Sequence, residues 1–273
     1  MSEGRSRLAV SELTAVRATG EVLGPLSFAV EAGETIGLIG PSDGGRTELL
    51  HLIAGSLRQR GGAILLDGAP LGSLSRRRRI REGVIAVRGS ANGAGPAERG
   101  LRVVDHLGLA VQLSDLAVWR LLLQRRRRLS EAQHADIRAV LDFCGCPHLL
   151  IAEMASLAPV DARRVAIARA LCQRPRLLLL HRPFVGLTAG ECGVIGRLIA
   201  RIAAEKVAVI VDDEQLALLE TVCHRLLVLA RGRQVAFGTV GEIAIDAAAS
   251  RAFTGHGSAG ATVSGTTDMA LSG

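Results

Sequence analysis

Between Glu34 and Leu50 the chain reads Glu-Thr-Ile-Gly-Leu-Ile-Gly-Pro-Ser-Asp-Gly-Gly-Arg-Thr-Glu-Leu-Leu: an apolar run, a glycine-rich turn and the start of a helical pattern. Gly40, Gly44, Gly45 and Thr47 keep the spacing of a phosphate loop, which requires a buried strand to end in a tight turn at a helix N-terminus. In the intact pattern the loop N–H groups wrap phosphates, a lysine reaches the outer ones and the hydroxyl ligates Mg²⁺. Here Arg46 replaces that lysine. Arginine keeps the charge, but its planar fork is bulkier than an ammonium. Asp43 adds a carboxylate among donors meant for an anion. Like charges 4 Å apart repel by roughly 4 kcal/mol at an effective dielectric of about 20. The candidate binding residues are Gly40, Ser42, Gly44, Gly45, Arg46 and Thr47, with Thr47 the candidate metal ligand.

The rest of the chain must supply a core around that strand. With 273 residues and 48% hydrophobic content it can bury one, as a single large domain or a core with an inserted subdomain. The net charge is +7, but Lys206 is the only lysine and aromatics are 2%, so base-stacking platforms are scarce and no nucleic-acid partner is expected. The arginine runs Arg76 to Arg79 and Arg125 to Arg128 read as solvated faces. Five scattered cysteines, Cys144, Cys146, Cys172, Cys192 and Cys223, fit reduced buried thiols. Cys144-Gly-Cys146 with His148 lacks a second ligand pair at zinc spacing. No uninterrupted stretch approaches the roughly 20 apolar residues of a membrane span.

Apolar runs predict strands at Leu8 to Val10, Leu26 to Val30, Thr35 to Ile39, Gly62 to Gly68, Gly83 to Val87, Pro175 to Leu180 and Val207 to Val211. A helix is expected from Thr47 to Ala54, helical structure from Leu101 to Cys144 with a break near Ser130, and another helix over Glu191 to Glu205. Leu226 to Phe237 closes as a hairpin around Arg231 to Arg233. Alternating strands and helices argue for a sheet covered on both faces. Gly255 to Gly273 reads as a flexible tail.

In this order, from about Leu8 to Ile243, the segments resemble the ATP-binding subunit of ABC transporters. Several details look most like the second ATPase half of monosaccharide importers: Gly45-Arg46-Thr47-Glu48-Leu49, Arg81 to Val87, Val165-Ala-Ile-Ala-Arg169, and Glu214 followed by Leu218-Leu219. Branched-chain amino acid importers are the nearby competitor. The resemblance implies an α/β fold: a P-loop NTPase (RecA-like) core with an N-terminal antiparallel β subdomain and an inserted helical subdomain. The domain would span 7–245, with the insert over about 98–170.

Measured against that family, the other functional positions are altered. Its apolar strand ends in Asp-Glu-Pro, for Mg²⁺ and the attacking water; here it ends His181-Arg182-Pro183. Its Leu-Ser-Gly-Gly signature, which grips the γ-phosphate bound to the opposite subunit, reads Leu157-Ala158-Pro159-Val160-Asp161. A conserved family glutamine aligns with Gly89, an aspartate with Thr188 and the switch histidine with Asp213, while the adenine-stacking aromatic falls near Arg17. Mg²⁺ selects oxygen ligands, and a protonated guanidinium cannot accept a proton. Arg182 could instead contact a phosphate directly.

The expectation is a transporter ATP-binding subunit, of a sugar importer, with hydrolysis lost. ATP and Mg²⁺ would be held weakly or not at all. Permease subunits and a second ATP-binding subunit would be its partners, and it would sit in the cytoplasm, touching the membrane only through them. A non-transport regulatory protein on the same fold and an active ATPase with unusual residues are the other readings.

Overall fold

The computed structural model describes residues 6–17, 20–89, 100–115 and 129–245. Arg125 to Arg128 and the 255–273 tail lie outside the described residues. Two sheets share the core. The smaller pairs β2 (Val22–Val30), β1 (Leu8–Val16), β4 (Gly61–Leu66) and β5 (Ala69–Pro70), all antiparallel. The larger runs in the order β10 (Arg233–Thr239), β9 (Arg225–Ala230), β3 (Thr35–Ile39), β8 (Ala208–Asp212), β7 (Leu177–His181) and β6 (Val84–Arg88). Its strands are parallel apart from the β9–β10 hairpin.

The four leucines of β7 show why this sheet is continuously apolar. Leu177 and Leu179 face the core shared with β1, β2 and α1 (Arg46–Ala54), whereas Leu178 and Leu180 face the opposite core. The same alternation divides Ala208 and Ile210 from Val209 and Val211 in β8. Side chains of period two on a sheet covered on both faces make both alternating sets apolar along most of each strand. Full burial of one such aliphatic side chain contributes about 1.5–3 kcal/mol.

Between β6 and β7 the chain runs through α3 (Val103–Asp115), α4 (Glu131–Phe143) and α5 (Pro159–Leu171). Ser130 starts α4 through a capping box: its Oγ accepts from Gln133 N (3.2 Å), and Gln133 Oε1 accepts from Ser130 N (3.0 Å). Later helices are α6 (Ala189–Ala204), α7 (Leu216–Val222) and α8 (Val240–Ile245).

Both N-terminal strands are longer than the sequence pattern predicts. In β1 the register shifts between Val10 and Leu13, where Glu12 has φ 47°, so inward-facing Leu13 and Ala15 fall out of phase with Leu8 and Val10. In β2 the pair Gly24-Pro25 lies within the strand.

Arg79 corrects the reading of the first arginine run. Arg76, Arg77 and Arg78 are exposed, whereas Arg79, in α2 (Arg76–Arg81), is buried. Its Nη1 donates to Leu52 O (2.6 Å) and Ile53 O (3.0 Å), and its Nε donates to Leu74 O (3.1 Å). Arg79 thereby satisfies Ile53 O at the C-terminal end of α1 and adds a second donor to Leu52 O, which also accepts from Gly55 N–H (3.2 Å). Arg79→Ala is expected to lower stability by about 1–3 kcal/mol in urea unfolding, because buried acceptors lose their donor. Exposed Arg77→Ala should stay within about 0.5 kcal/mol.

All five cysteines are buried and free. Burial disfavours the thiolate, raising Cys146 to about 11 and Cys172 and Cys223 to about 12.

Candidate functional site

The carboxyl ends of β3, β6, β7 and β8 converge at the loop 40–45. Such an edge is where α/β sheets place ligands. Gly40 has φ 140°, and a Cβ there would collide with the carbonyl oxygen of Leu229 in β9. Gly45, at φ 97°, is the residue from which α1 starts. Ser42 and Asp43 are exposed at the turn, and Thr47 is half-buried on the first turn of α1.

Arg46 departs from the expected arrangement. Its side chain is buried and crosses to β8, where Nη1 donates to Asp212 Oδ1 (2.6 Å) and Asp213 O (2.9 Å). Glu214 lies 4.0 Å from its Nη2. The cation read as a phosphate ligand therefore neutralises a carboxylate of its own chain.

Sheet register supplies that carboxylate's second partner. Arg88, His181 and Asp212 are successive neighbours across β6, β7 and β8. His181 donates from Nδ1 to Asp212 Oδ2 (2.5 Å), which fixes the proton on Nδ1 and leaves Nε2 as the bare nitrogen when the ring is neutral. Asp212, 1% exposed, thus has each oxygen committed, one to Arg46 and one to His181.

Arg182 follows with φ 51°, its N–H bonded to Asp212 O (2.6 Å) and its guanidinium 3.3 Å from Glu214 Oε2. The direct phosphate contact envisaged for it competes with that ion pair. Gly89 N–H donates to His181 O (2.6 Å), and a Cβ at Gly89 would collide with Arg182 O and the Arg163 guanidinium. No glutamine-sized side chain fits there without moving β7. Arg163 is buried and donates to Arg182 O (3.1 Å) and Val185 O (3.3 Å); burial lowers its pKa, and Asp213 opposes that shift.

Asp213, aligned with the switch histidine, accepts from Glu214 N (2.9 Å) and Gln215 N (3.3 Å), so it shapes the turn after β8. Thr188 is the N-cap of α6, in a capping box with Glu191. Arg17 is buried, with Nε on Glu48 (3.0 Å) and Nη1 on Glu21 (3.0 Å). In the altered signature, Ala158 is the N-cap of α5 without a side-chain cap bond, and Pro159 opens the helix without an N–H. Leu157 and Val160 pack against the core, and Asp161 pairs with Arg164 (3.1 Å).

Residues 23–185 match the family model described as ABC transporter. The chain belongs to the ATP-binding proteins of ABC transporters. It is 28% identical over 239 residues to the lipopolysaccharide export system ATP-binding protein LptB of Escherichia coli (strain K12), covering 86% of this chain and 91% of that protein. A probable ABC transporter ATP-binding protein of Azorhizobium caulinodans is 30% identical over 222 residues, covering 78% of this chain and 72% of the relative. The ribose import ATP-binding protein RbsA of Pseudomonas putida is 31% identical over 210 residues, covering 77% of this chain but 39% of that protein. Among solved structures, a nucleotide-free ATP-binding cassette superposes with TM-score 0.79 at 17% identity, covering 90% of this chain and 98% of the other. An ADP-conformation cassette gives 0.78 at 18%, covering 87% and 92%. These likenesses establish the expected P-loop NTPase fold.

Cassettes of this family use ATP with Mg²⁺. Thr47, on the first turn of α1, keeps the hydroxyl that would hold the metal, whereas the strand end suits it less well. Among the described residues no group of three or more His, Cys, Asp or Glu side chains could hold a metal ion. Asp212 is paired on both oxygens, and a nitrogen donor at 181 is a poor match for a hard cation.

Sequence reading missed Asp212 and Glu214 as the partners of Arg46 and Arg182. The signal was present, since Asp212 ends a wholly apolar strand, where a lone carboxylate requires a buried cation. No helix among the described residues is long and apolar enough to cross a membrane.

Proposed function

We propose that this cassette serves its transporter without hydrolysing ATP, contributing fold and docking surface while chemistry is performed elsewhere in the assembly. The observation that carries the proposal is the buried chain Arg46–Asp212–His181, which joins the phosphate loop to the strand end where the family keeps its metal carboxylate. A site that must bind Mg²⁺ and position water needs a free carboxylate there. Here that position is His181, tied to Asp212 of the neighbouring strand, the next residue is Arg182, and Gly89 packs too closely for a side chain. The lost donor at Pro159 extends the deficit to the site that the signature would complete on a partner cassette.

Sugar import is supported by the loop sequence Gly45 to Leu49 and by the likeness to the ribose import protein. Lipopolysaccharide export and hemin import relatives match at comparable identity, so the proposal is confined to the catalytic state. Metal dependence tests it. ATP affinity, measured by calorimetry with and without Mg²⁺, is expected to change by less than about threefold, because the strand end presents His181 and Arg182 in place of carboxylates. Tightening by tenfold or more on adding Mg²⁺ would contradict the proposal.

A further inference from the structure

Two parts of the molecule meet on α5. It packs against α3 and α4, the helices that precede it between β6 and β7, and also against β6 and α6. The chain leaves the larger sheet for these helices once, after Gly89, and returns to it once, along α5.

Arg163, one turn into α5, fastens both crossings. Its buried guanidinium donates from Nη1 to Arg182 O (3.1 Å) and from Nη2 to Val185 O (3.3 Å), backbone that follows β7. Gly89, at the other crossing, donates its N–H to His181 O (2.6 Å), and a Cβ there would collide with the same guanidinium. The end of β6, the segment after β7 and the first turn of α5 therefore close on one cation. Buried Asp213 supplies the opposing charge, favouring the ionised form of Arg163 against the effect of burial. That carboxylate is itself held by the N–H groups of Phe184 and Glu214. Arg164, the next residue, pairs instead with Asp161 of its own helix.

A buried guanidinium is tolerated only while its acceptors are in place, because displacement leaves a desolvated cation and bare carbonyls. Bonds from a charged donor are roughly twice as strong as neutral ones, and the planar fork spreads them over two carbonyls. We propose that Arg163 is a latch that sets the orientation of α3 and α4 relative to the larger sheet. These helices move against the sheet only when the guanidinium leaves Arg182 O and Val185 O. The latch consists of protein groups alone and does not rest on the reading of the catalytic state.

Spin-label distances in the full chain test the assignment, with labels at Arg77→Cys on α2 and Asp142→Cys on α4. Both positions are exposed, whereas the five native cysteines are buried and stay unlabelled. The parental chain is expected to give one narrow distance distribution. Arg163→Ala should broaden it at least about twofold, as orientations held below about 10% in the parent become populated. Arg163→Lys, which keeps the charge but loses the fork, should broaden it as well. Arg164→Ala should keep the parental width. Far-ultraviolet dichroism should stay parental in every variant, which separates a released latch from an unfolded chain. A parental width in both Arg163 variants, or equal broadening in Arg164→Ala, would overturn the proposal. Loss of helical dichroism in both Arg163 variants would overturn it too, by making Arg163 a requirement of the fold and not of its orientation.

Discussion

Asp212→Ala is expected to lower the stability of the chain by about 3–5 kcal/mol and its thermal midpoint by roughly 6–20 °C. The carboxylate is 1% exposed, and its removal leaves the buried Arg46 guanidinium facing Asp213 O and a carboxylate 4.0 Å away. His181 loses its Nδ1 acceptor at the same time. Breaking a buried pair by deleting one partner is far more costly than replacing both, because a lone buried charge keeps its desolvation penalty. Arg46→Met combined with Asp212→Leu is therefore expected to recover much of the loss. The coupling between the two sites, read from a double-mutant cycle in urea, should exceed about 1 kcal/mol. A parental midpoint for Asp212→Ala would mean that Arg46 is not anchored by this pair.

The larger effect concerns turnover, which should lie at least about 10⁴-fold below that of a cassette with intact motifs. A missing base or a missing electrostatic donor each commonly costs about 10² or more in rate. On the proposed reading the metal carboxylate position is His181, the water-orienting position is Arg182, and the glutamine position is Gly89, which packs against Arg182 O. Arg182 stays protonated and cannot polarise water by accepting its proton. The losses concern one transition state, so repairing any one of them should leave the others limiting.

Much of this was legible in the sequence because the larger sheet is buried on both faces. Leu177 to Leu180 and Ala208 to Val211 announce their strands by continuous apolarity, and Gly40 and Gly45 mark the turn between β3 and α1 by their spacing. Legibility failed where the chain departs from one period or where a charge is buried. The irregular register near Glu12 hid the length of β1, and Arg79 looked like its exposed neighbours although it holds the end of α1. At the site, residue identity alone marked Arg46 as a charge-keeping but bulkier replacement for the loop lysine. Its direction could not be read, because Arg46 and Asp212 are 166 residues apart and meet only through the β3–β8 pairing. The substituted cation is held inside the protein by the carboxylate at the end of the neighbouring strand.

Steady-state phosphate release by the purified chain, with saturating ATP and Mg²⁺, tests the central claim most directly. The expected result is a rate indistinguishable from that of a Thr47→Ala variant. Turnover above that background, abolished by Thr47→Ala, would show a working catalytic site and contradict the claim.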